Sequence, residues 1–201
     1  MLEEIIVKHL GSIKPEIQRA IEVAKEMLGE GSHGLSHTER VLKLALEIGK
    51  KEGADLEVLA LAAILHDVAR PLEEKGLIKD HAKESAKIAR DILNNYPKIE
   101  EVVHAIEAHR FSRGVEPRTL EAKILSDADK IDALGAVGIA RVFMYSGEHG
   151  RSIEDSIRHF EEKILKLKDL MYTKTGKKIA EERHKIVEDF LEELKKEITL
   201  F

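Results

Sequence analysis

The sequence predicts an all-α protein, and three observations carry that prediction. Charged residues make up 35% of the 201 residues and aromatic residues only 4%, which favours helices over strands rich in aromatic and β-branched side chains. Apolar residues recur at helical spacing along most of the chain. No segment has a convincing strand pattern. We therefore expect a bundle of about eight or nine helices.

The predicted helices follow one another with short breaks at glycine, proline and polar residues. Asp55 and Asp80 are predicted to cap the helices that follow them, and Ser36 is predicted to start a helix in a capping box. Gly135 and Gly138 suggest a bend with close backbone packing. The predicted helices cover residues 2–10, 14–29, 36–53, 56–69, 81–95, 98–110, 118–145, 152–171 and 177–198.

Length and composition favour a single domain over residues 1–201 and exclude several classes of protein. The metal-site core is expected within about 33–145, with helices within about 152–198 packed on it. The net charge is −5 and basic residues are dispersed, so no nucleic-acid polymer is expected as a partner. The longest apolar run, Val58–Leu65, has eight residues, too few to span a membrane, and the N-terminus lacks a signal-peptide layout. We expect a cytoplasmic protein without disulfides, because there is no cysteine.

An apolar helix that ends in two polar residues is the most informative feature of the sequence. The stretch LAAILHDVAR, residues 61–70, places His66 and Asp67 at the end of a helix that should be buried. An unpaired buried carboxylate is costly unless a cation offsets its charge. The nearest cation on this helix, Arg70, is three residues further on. A bound metal ion would remove the cost.

Histidines and a second carboxylate from other helices are predicted to face the same interior. His37 and His109 lie on the apolar stripes of their helices, whereas His81 lies in a first helical turn, where the helix dipole keeps an imidazole neutral. His33 precedes His37 by four residues and could reach the same place. Asp129 lies in an acidic stretch inside an otherwise apolar helix. A single inward histidine is usually a packed core residue, but several on separate helices favour a site.

These residues together resemble the HD-domain superfamily of metal-dependent phosphohydrolases. The resemblance rests on the ordered set His37, His66, Asp67 and Asp129, and it is closest to a group of small, uncharacterised HD hydrolases. It implies an all-α HD-type bundle in which these four residues bind a divalent metal ion. The segments that carry it are SHGLSHTERV, LAAILHDVAR, AIEAHRFS, ILSDADKIDALGAVGIAR and MYTKTGKKIAEER.

The resemblance also implies a reaction, the cleavage of a phosphate ester or anhydride in a small phosphorylated compound. A nucleotide is the favoured substrate. Mixed nitrogen and oxygen ligands suit Mn²⁺, Fe²⁺, Co²⁺, Ni²⁺, Zn²⁺ or Mg²⁺. In this hypothesis metal-bound hydroxide attacks phosphorus, and Asp67, Glu73 or Glu74 takes up the proton. Arg70 and Lys130 are the cations expected to neutralise phosphate oxygens.

The number of metal ions and the reaction itself stay open at this point. His81 and His109 match histidines that bind a second metal in some HD proteins, and with His33 and Arg110 they could instead hold substrate phosphate. The segment after His109 reads RFSRG and lacks the Gly-Tyr-Pro motif of cyclic-dinucleotide phosphodiesterases. The alternatives are a di-iron oxygenase on the same fold and a non-catalytic module that binds a nucleotide. Nothing in the sequence favours one oligomeric state.

Overall fold

A computed structural model of the chain describes residues 1–29, 34–110 and 114–199, so His33 of the expected site lies outside the described residues. The described residues form eleven α-helices and one 3-10 helix, Ile164–Leu170, and contain no strand, which confirms the predicted all-α fold class. None of these helices combines the length and the apolar character that crossing a bilayer requires. The α-helices are α1 (Leu2–Leu10), α2 (Pro15–Met27), α3 (Leu35–Glu52), α4 (Leu56–Leu65), α5 (Arg70–Glu74), α6 (His81–Ile92), α7 (Ile99–Ala108), α8 (Leu120–Asp132), α9 (Gly135–Glu148), α10 (Ile153–Glu162) and α11 (Lys174–Thr199).

The described residues contain more helices than the eight or nine expected, because two predicted helices are interrupted and the short helix α5 was not predicted. The segment predicted as one helix over 118–145 ends at Asp132 and starts again at Gly135. Gly135 has a φ of +72°, a left-handed conformation that L-residues rarely adopt, so the chain changes direction there. The segment predicted over 152–171 is divided into α10 and the 3-10 helix.

Two of the three predicted helix caps are confirmed. The carboxylates of Asp55 and Asp80 each accept hydrogen bonds from the backbone N–H groups two and three residues further on, at the starts of α4 and α6. The prediction of Ser36 as an N-cap is wrong. Helix α3 begins at Leu35 after an extended Gly34, with no side-chain cap, so Ser36 already lies inside the first turn.

The chain divides into two compact units, Met1–Ala128 and Asp129–Phe201, and the boundary falls inside α8. The first unit is built around α4, which contacts α1, α2, α3, α6 and α7. Every side chain from Val58 to Leu65 is fully buried, because this helix is apolar on all of its faces. The single domain expected over residues 1–201 stays a prediction.

A glycine allows α3 to approach α4 closely. A Cβ atom at Gly49 would lie 2.3 Å from Cδ1 of Leu59 and 3.1 Å from Cδ2 of Leu56. The buried face of α3 therefore packs directly on the leucines of α4. This packing makes α4 a rigid support for the polar residues that follow its last turn.

In the second unit α9 packs against α10 and α11, and the 3-10 helix contacts α10 and α11. Phe143, Phe160 and Phe190 form an aromatic cluster with ring centroids 5.9–6.5 Å apart. A Cβ atom at Gly138 would lie 2.2 Å from the carbonyl oxygen of Ala133. The close backbone packing predicted at this glycine is therefore confirmed.

We predict that Gly138→Ala destabilises the protein because the added methyl group would meet backbone rather than a flexible side chain. The free energy of unfolding should fall by about 1–3 kcal/mol, as in other overpacked sites. Gly147→Ala, on the same helix, is the matched control, because its Cβ would meet nothing within 4 Å. The control should raise stability by up to about 1 kcal/mol through helix propensity. Urea unfolding followed by circular dichroism measures both, and equal effects would contradict the prediction.

Candidate metal centre

The two carboxylate oxygens of Asp67 face two pairs of histidines in the first unit. Oδ2 lies 3.8 Å from Nε2 of His37 and 3.8 Å from Nε2 of His66, and these two nitrogens are 3.4 Å apart. Oδ1 lies 3.0 Å from Nε2 of His81 and 3.6 Å from Nε2 of His109. All five side chains are buried, and none is more than 3% exposed. Residues from α3, α6 and the ends of α4 and α7 thus converge on one carboxylate.

Backbone carbonyls orient two of the imidazole rings. Nδ1 of His66 donates a hydrogen bond to the carbonyl of Ala63 at 2.8 Å, and Nδ1 of His109 donates to the carbonyl of Ile106 at 2.5 Å. Because a carbonyl only accepts, both rings carry their proton on Nδ1. Each ring therefore presents a bare Nε2 toward the centre, the form that binds a metal.

Glu73, on α5, orients the third ring. Its Oε2 accepts a hydrogen bond from Nδ1 of His81 at 2.7 Å, and its Oε1 accepts one from Nη1 of Arg110 at 2.9 Å. Burial raises the pKa of Glu73, but His81 and then Arg110 more than offset it and lower the pKa to about 2. The ionised carboxylate keeps the ring proton on Nδ1 and raises the basicity of Nε2.

From the sequence Glu73 was expected only as a proton acceptor, and its contact with His81 was not predicted. Eight residues separate the two positions, and they include a turn whose path the sequence does not predict. A carboxyl with so low a pKa is a poor proton acceptor at neutral pH, since its conjugate acid is strong. The structure therefore favours a positioning role for Glu73.

Two buried serines that the sequence patterns did not single out connect the ligand-bearing segments. Ser85, one turn after His81 on α6, accepts a hydrogen bond from the backbone N–H of Ala69 at 3.1 Å. Ser126, on α8, donates to the backbone carbonyl of His109 at 3.2 Å. Both serines are at most 1% exposed. These bonds hold the backbone directly beside the histidine and aspartate side chains.

The donor set fits a divalent cation. Oδ1 of Asp67 and Nε2 of His81 are buried 3.0 Å apart, yet neither has a hydrogen-bond partner among the described residues. Since the proton of His81 is on Nδ1, two lone pairs face each other in a buried site, which is unfavourable without a cation. Asp67, His81 and His109 each offer one ligand atom within 4.8 Å of the others. Two ligand atoms of one cation lie roughly 3–3.5 Å apart when each metal–ligand bond is about 2.1 Å. The 3.0 Å between Oδ1 of Asp67 and Nε2 of His81 is such a distance.

The charge of Asp67 is consistent with this fit. Burial raises the pKa of its carboxyl, but the interaction with the neighbouring His66, followed by contacts with His109 and His81, more than offsets burial. The pKa therefore lies well below its usual value, and the carboxylate is ionised at neutral pH. A buried anion among neutral imidazoles is the environment that a cation stabilises.

The remaining expected site residues have the following surroundings. Nε of Arg70 lies 3.4 Å from Oε1 of Glu74. Asp129 is the first residue of the second unit, on α8, and is half-buried. Lys130 follows it, is 6% exposed, and places Nζ 5.3 Å from the ring centroid of Tyr172. Asp129 as a metal ligand, and Arg70 and Lys130 as phosphate-binding cations, stay predictions.

The helical fold and the histidine–aspartate centre define a protein of the HD class. A family model described as the HD domain matches residues 34–134, a range that contains His37, Asp67 and Asp129. The chain belongs to the HD domain family. The resemblance that the sequence motifs indicated is therefore confirmed.

Similarity to individual proteins covers more of the chain than the family model does. YpgQ, an uncharacterised protein of Bacillus subtilis, is 38% identical over 178 residues, which cover 83% of this chain and 84% of YpgQ. A crystal structure of YpgQ in complex with ADP covers 90% of this chain and 98% of its own, with a TM-score of 0.73 and 33% identity. The crystal structure of a protein described as a predicted HD superfamily hydrolase, from an uncultured Thermotogales bacterium, covers 91% of this chain and 93% of its own, with a TM-score of 0.69 and 33% identity. Ribonuclease Y of Thermobifida fusca is 33% identical over 139 residues, 68% of this chain but 26% of the ribonuclease.

We predict that Glu73→Gln weakens divalent metal binding by about 10- to 100-fold, the usual effect of removing a group that orients a metal-ligating histidine. The neutral amide no longer fixes the proton of His81 on Nδ1. Glu84→Gln is the control, because Glu84 pairs only at the surface with Lys87. Titration of Mn²⁺ into metal-free protein by calorimetry gives the affinities. Unchanged Mn²⁺ affinity in Glu73→Gln would contradict the orienting role.

Proposed function

We propose that the protein is a metal-dependent phosphohydrolase that acts on a nucleotide or a similar small phosphorylated compound. The observation that carries the proposal is the Asp67 carboxylate, whose oxygens face His37 and His66 on one side and His81 and His109 on the other. Membership of the HD family and the likeness to an HD superfamily hydrolase support hydrolysis. The crystal structure of YpgQ in complex with ADP supports a nucleotide as the substrate.

In this proposal His37, His66 and Asp67 hold a divalent metal ion, and Asp129 is the fourth ligand by resemblance to the family. Their mixed nitrogen and oxygen donors suit Mn²⁺, Fe²⁺, Co²⁺, Ni²⁺, Zn²⁺ or Mg²⁺. His81 and His109 would hold a second ion, with Asp67 shared between the two. In a centre with one ion, the same two imidazoles would face the substrate phosphate.

A divalent cation in such a centre supplies Lewis acidity and lowers the pKa of a water ligand. The chain itself supplies a fixed electrostatic frame, which is what phosphoryl transfer mainly requires. Ionised Glu73 keeps Nε2 of His81 bare, so this atom can bind metal or accept a proton at the centre. Arg110 pairs with Glu73 and is 26% exposed, and we propose that its other N–H groups bind phosphate oxygens. Arg70 and Lys130 are the further cations proposed for the phosphate.

The proposal favours a small substrate over a nucleic-acid polymer. The match to ribonuclease Y spans only 26% of that enzyme. The net charge of −5 and the dispersed basic residues provide no surface that would attract a polyanion over many phosphates. RNA is therefore the comparison substrate in the test, and a nucleotide is the expected one.

We predict that chelation abolishes turnover and lowers the melting temperature, because bound metal stabilises only the native state. Reloading with Mn²⁺ or another of the six candidate metals should restore release of phosphate or pyrophosphate from nucleotides. Phosphate assays and calorimetry measure the two effects. Absence of turnover on nucleotides, other phosphate compounds and short RNA with every metal would contradict the proposal. Iron-dependent oxygen uptake would instead indicate the di-iron oxygenase.

We predict that Asp67→Ala lowers both turnover and Mn²⁺ affinity by more than about 100-fold, beyond the effect of losing an orienting group. The metal-free variant should unfold at the same or a higher temperature than the metal-free parent, since a buried anion is removed. Asp91→Ala, an exposed position on α6, is the control. Circular dichroism, calorimetry and phosphate assays provide the measurements. Retention of parental Mn²⁺ affinity would show that Asp67 is not a ligand.

A further inference from the structure

We infer that Tyr172 is the binding surface on which the base of the nucleotide stacks. This inference rests on the proposed function, because it identifies the residue that would recognise one part of that substrate. It is carried by the exposure of the Tyr172 ring, the anchored backbone on either side of it, and its position beside Lys130, the residue that follows Asp129. All three residues belong to the second unit.

The chain has few aromatic rings that a base could stack on. It contains three tyrosines, five phenylalanines and no tryptophan. Among the described residues, Tyr172 is the most exposed aromatic residue, with 45% of its surface accessible to solvent. Stacking on an aromatic side chain is the usual way in which a protein binds an unpaired base. Tyr172 is thus the described ring best placed to meet a ligand from solvent.

The other described aromatic rings are less exposed than Tyr172. Phe143, Phe160 and Phe190 pack on one another in the aromatic cluster of the second unit. Tyr96 is 9% exposed. The Tyr145 ring is half-buried, stacks on His149 with centroids 4.0 Å apart, and has Arg151 4.9 Å from its centroid. Less of each of these rings is therefore accessible to a base from solvent.

Tyr172 is presented by an anchored segment of the backbone. The 3-10 helix before it buries Ile164 and Leu167. Thr173 directly after it is 6% exposed, and its Oγ1 accepts a hydrogen bond from the backbone N–H of Gly176 at 2.9 Å at the start of α11. A backbone anchored in this way loses little freedom when a ligand binds, so less of the stacking energy is spent on ordering the segment.

The neighbours of Tyr172 fit a nucleotide better than an uncharged aromatic ligand. Nζ of Lys130 lies 5.3 Å from the ring centroid, within the range of a cation–π contact, and the Lys130 side chain is buried. Lys130 directly follows Asp129, the proposed fourth metal ligand. Tyr172 and Lys130 therefore offer a stacking face with a cation beside it. A nucleotide likewise joins a flat base to charged phosphates.

The test compares two probes, ADP and inorganic pyrophosphate, which differ in the base and ribose. Both are titrated by calorimetry into Mn²⁺-loaded full-length protein. Tyr172→Leu should raise the Kd of ADP by about 5- to 100-fold, the range expected for loss of one stacking contact. It should leave the Kd of pyrophosphate unchanged. Tyr172→Phe keeps the ring and should retain the affinity for ADP, and Tyr145→Leu is the matched control at a half-buried ring.

Each of the following outcomes would contradict the inference. If Tyr172→Leu weakens the binding of ADP and of pyrophosphate equally, the ring affects binding through Lys130 or through folding, and not by contact with the base. If it leaves ADP binding unchanged, no base stacks there. A parent protein that binds pyrophosphate but not ADP overturns the inference and leaves a phosphohydrolase of other substrates. A parent protein that binds neither probe and shows no turnover overturns the proposed function as well.

Discussion

The burial of the Asp67 carboxylate among four imidazoles is the constraint on which the candidate site depends. A carboxylate that is 3% exposed is tolerable only where positive charge or hydrogen-bond donors compensate it. Here the surrounding Nε2 atoms of His66, His81 and His109 are themselves acceptors, because each ring has its proton on Nδ1. The arrangement is therefore electrostatically incomplete as a purely protein structure. A divalent cation makes it complete, and this is why the geometry favours a metal centre over a packed polar core.

The rest of the first unit can be understood as support for that one carboxylate. Helix α4 is buried on all sides and brings His66 and Asp67 to the interior at its end. Ser85 and Glu73 lie around the centre. Ser85 accepts a hydrogen bond from the backbone two residues after Asp67, and Glu73 accepts one from the ring of His81. Preorganisation of this kind restricts the ligand atoms before any ion binds, and so it reduces the entropy lost on binding.

Helical periodicity predicted much of the first unit because burial follows the helical period. His37 and His109 are buried on the faces that the apolar stripes predicted. Contacts between segments far apart in sequence have no such signal, so the bonds of Glu73 to His81 and of Ser126 to His109 were not predicted. Local backbone conformation also escaped prediction. Gly34 is the N-cap of α3, two residues before the expected cap at Ser36, and the left-handed Gly135 divides a helix that the pattern predicted as continuous.

The burial of α4 from Val58 to Leu65 also bears on the order in which the chain can fold. Its partners α1, α2 and α3 precede it in the sequence, whereas α6 and α7 follow it. During synthesis the first three helices are available to cover one part of α4. The surface that faces α6 and α7 stays uncovered until those later helices have been synthesised. An apolar helix exposed in this interval is a target for aggregation or for chaperones. The helix that holds the metal ligands rigid in the native protein is thus the segment most at risk before folding is finished.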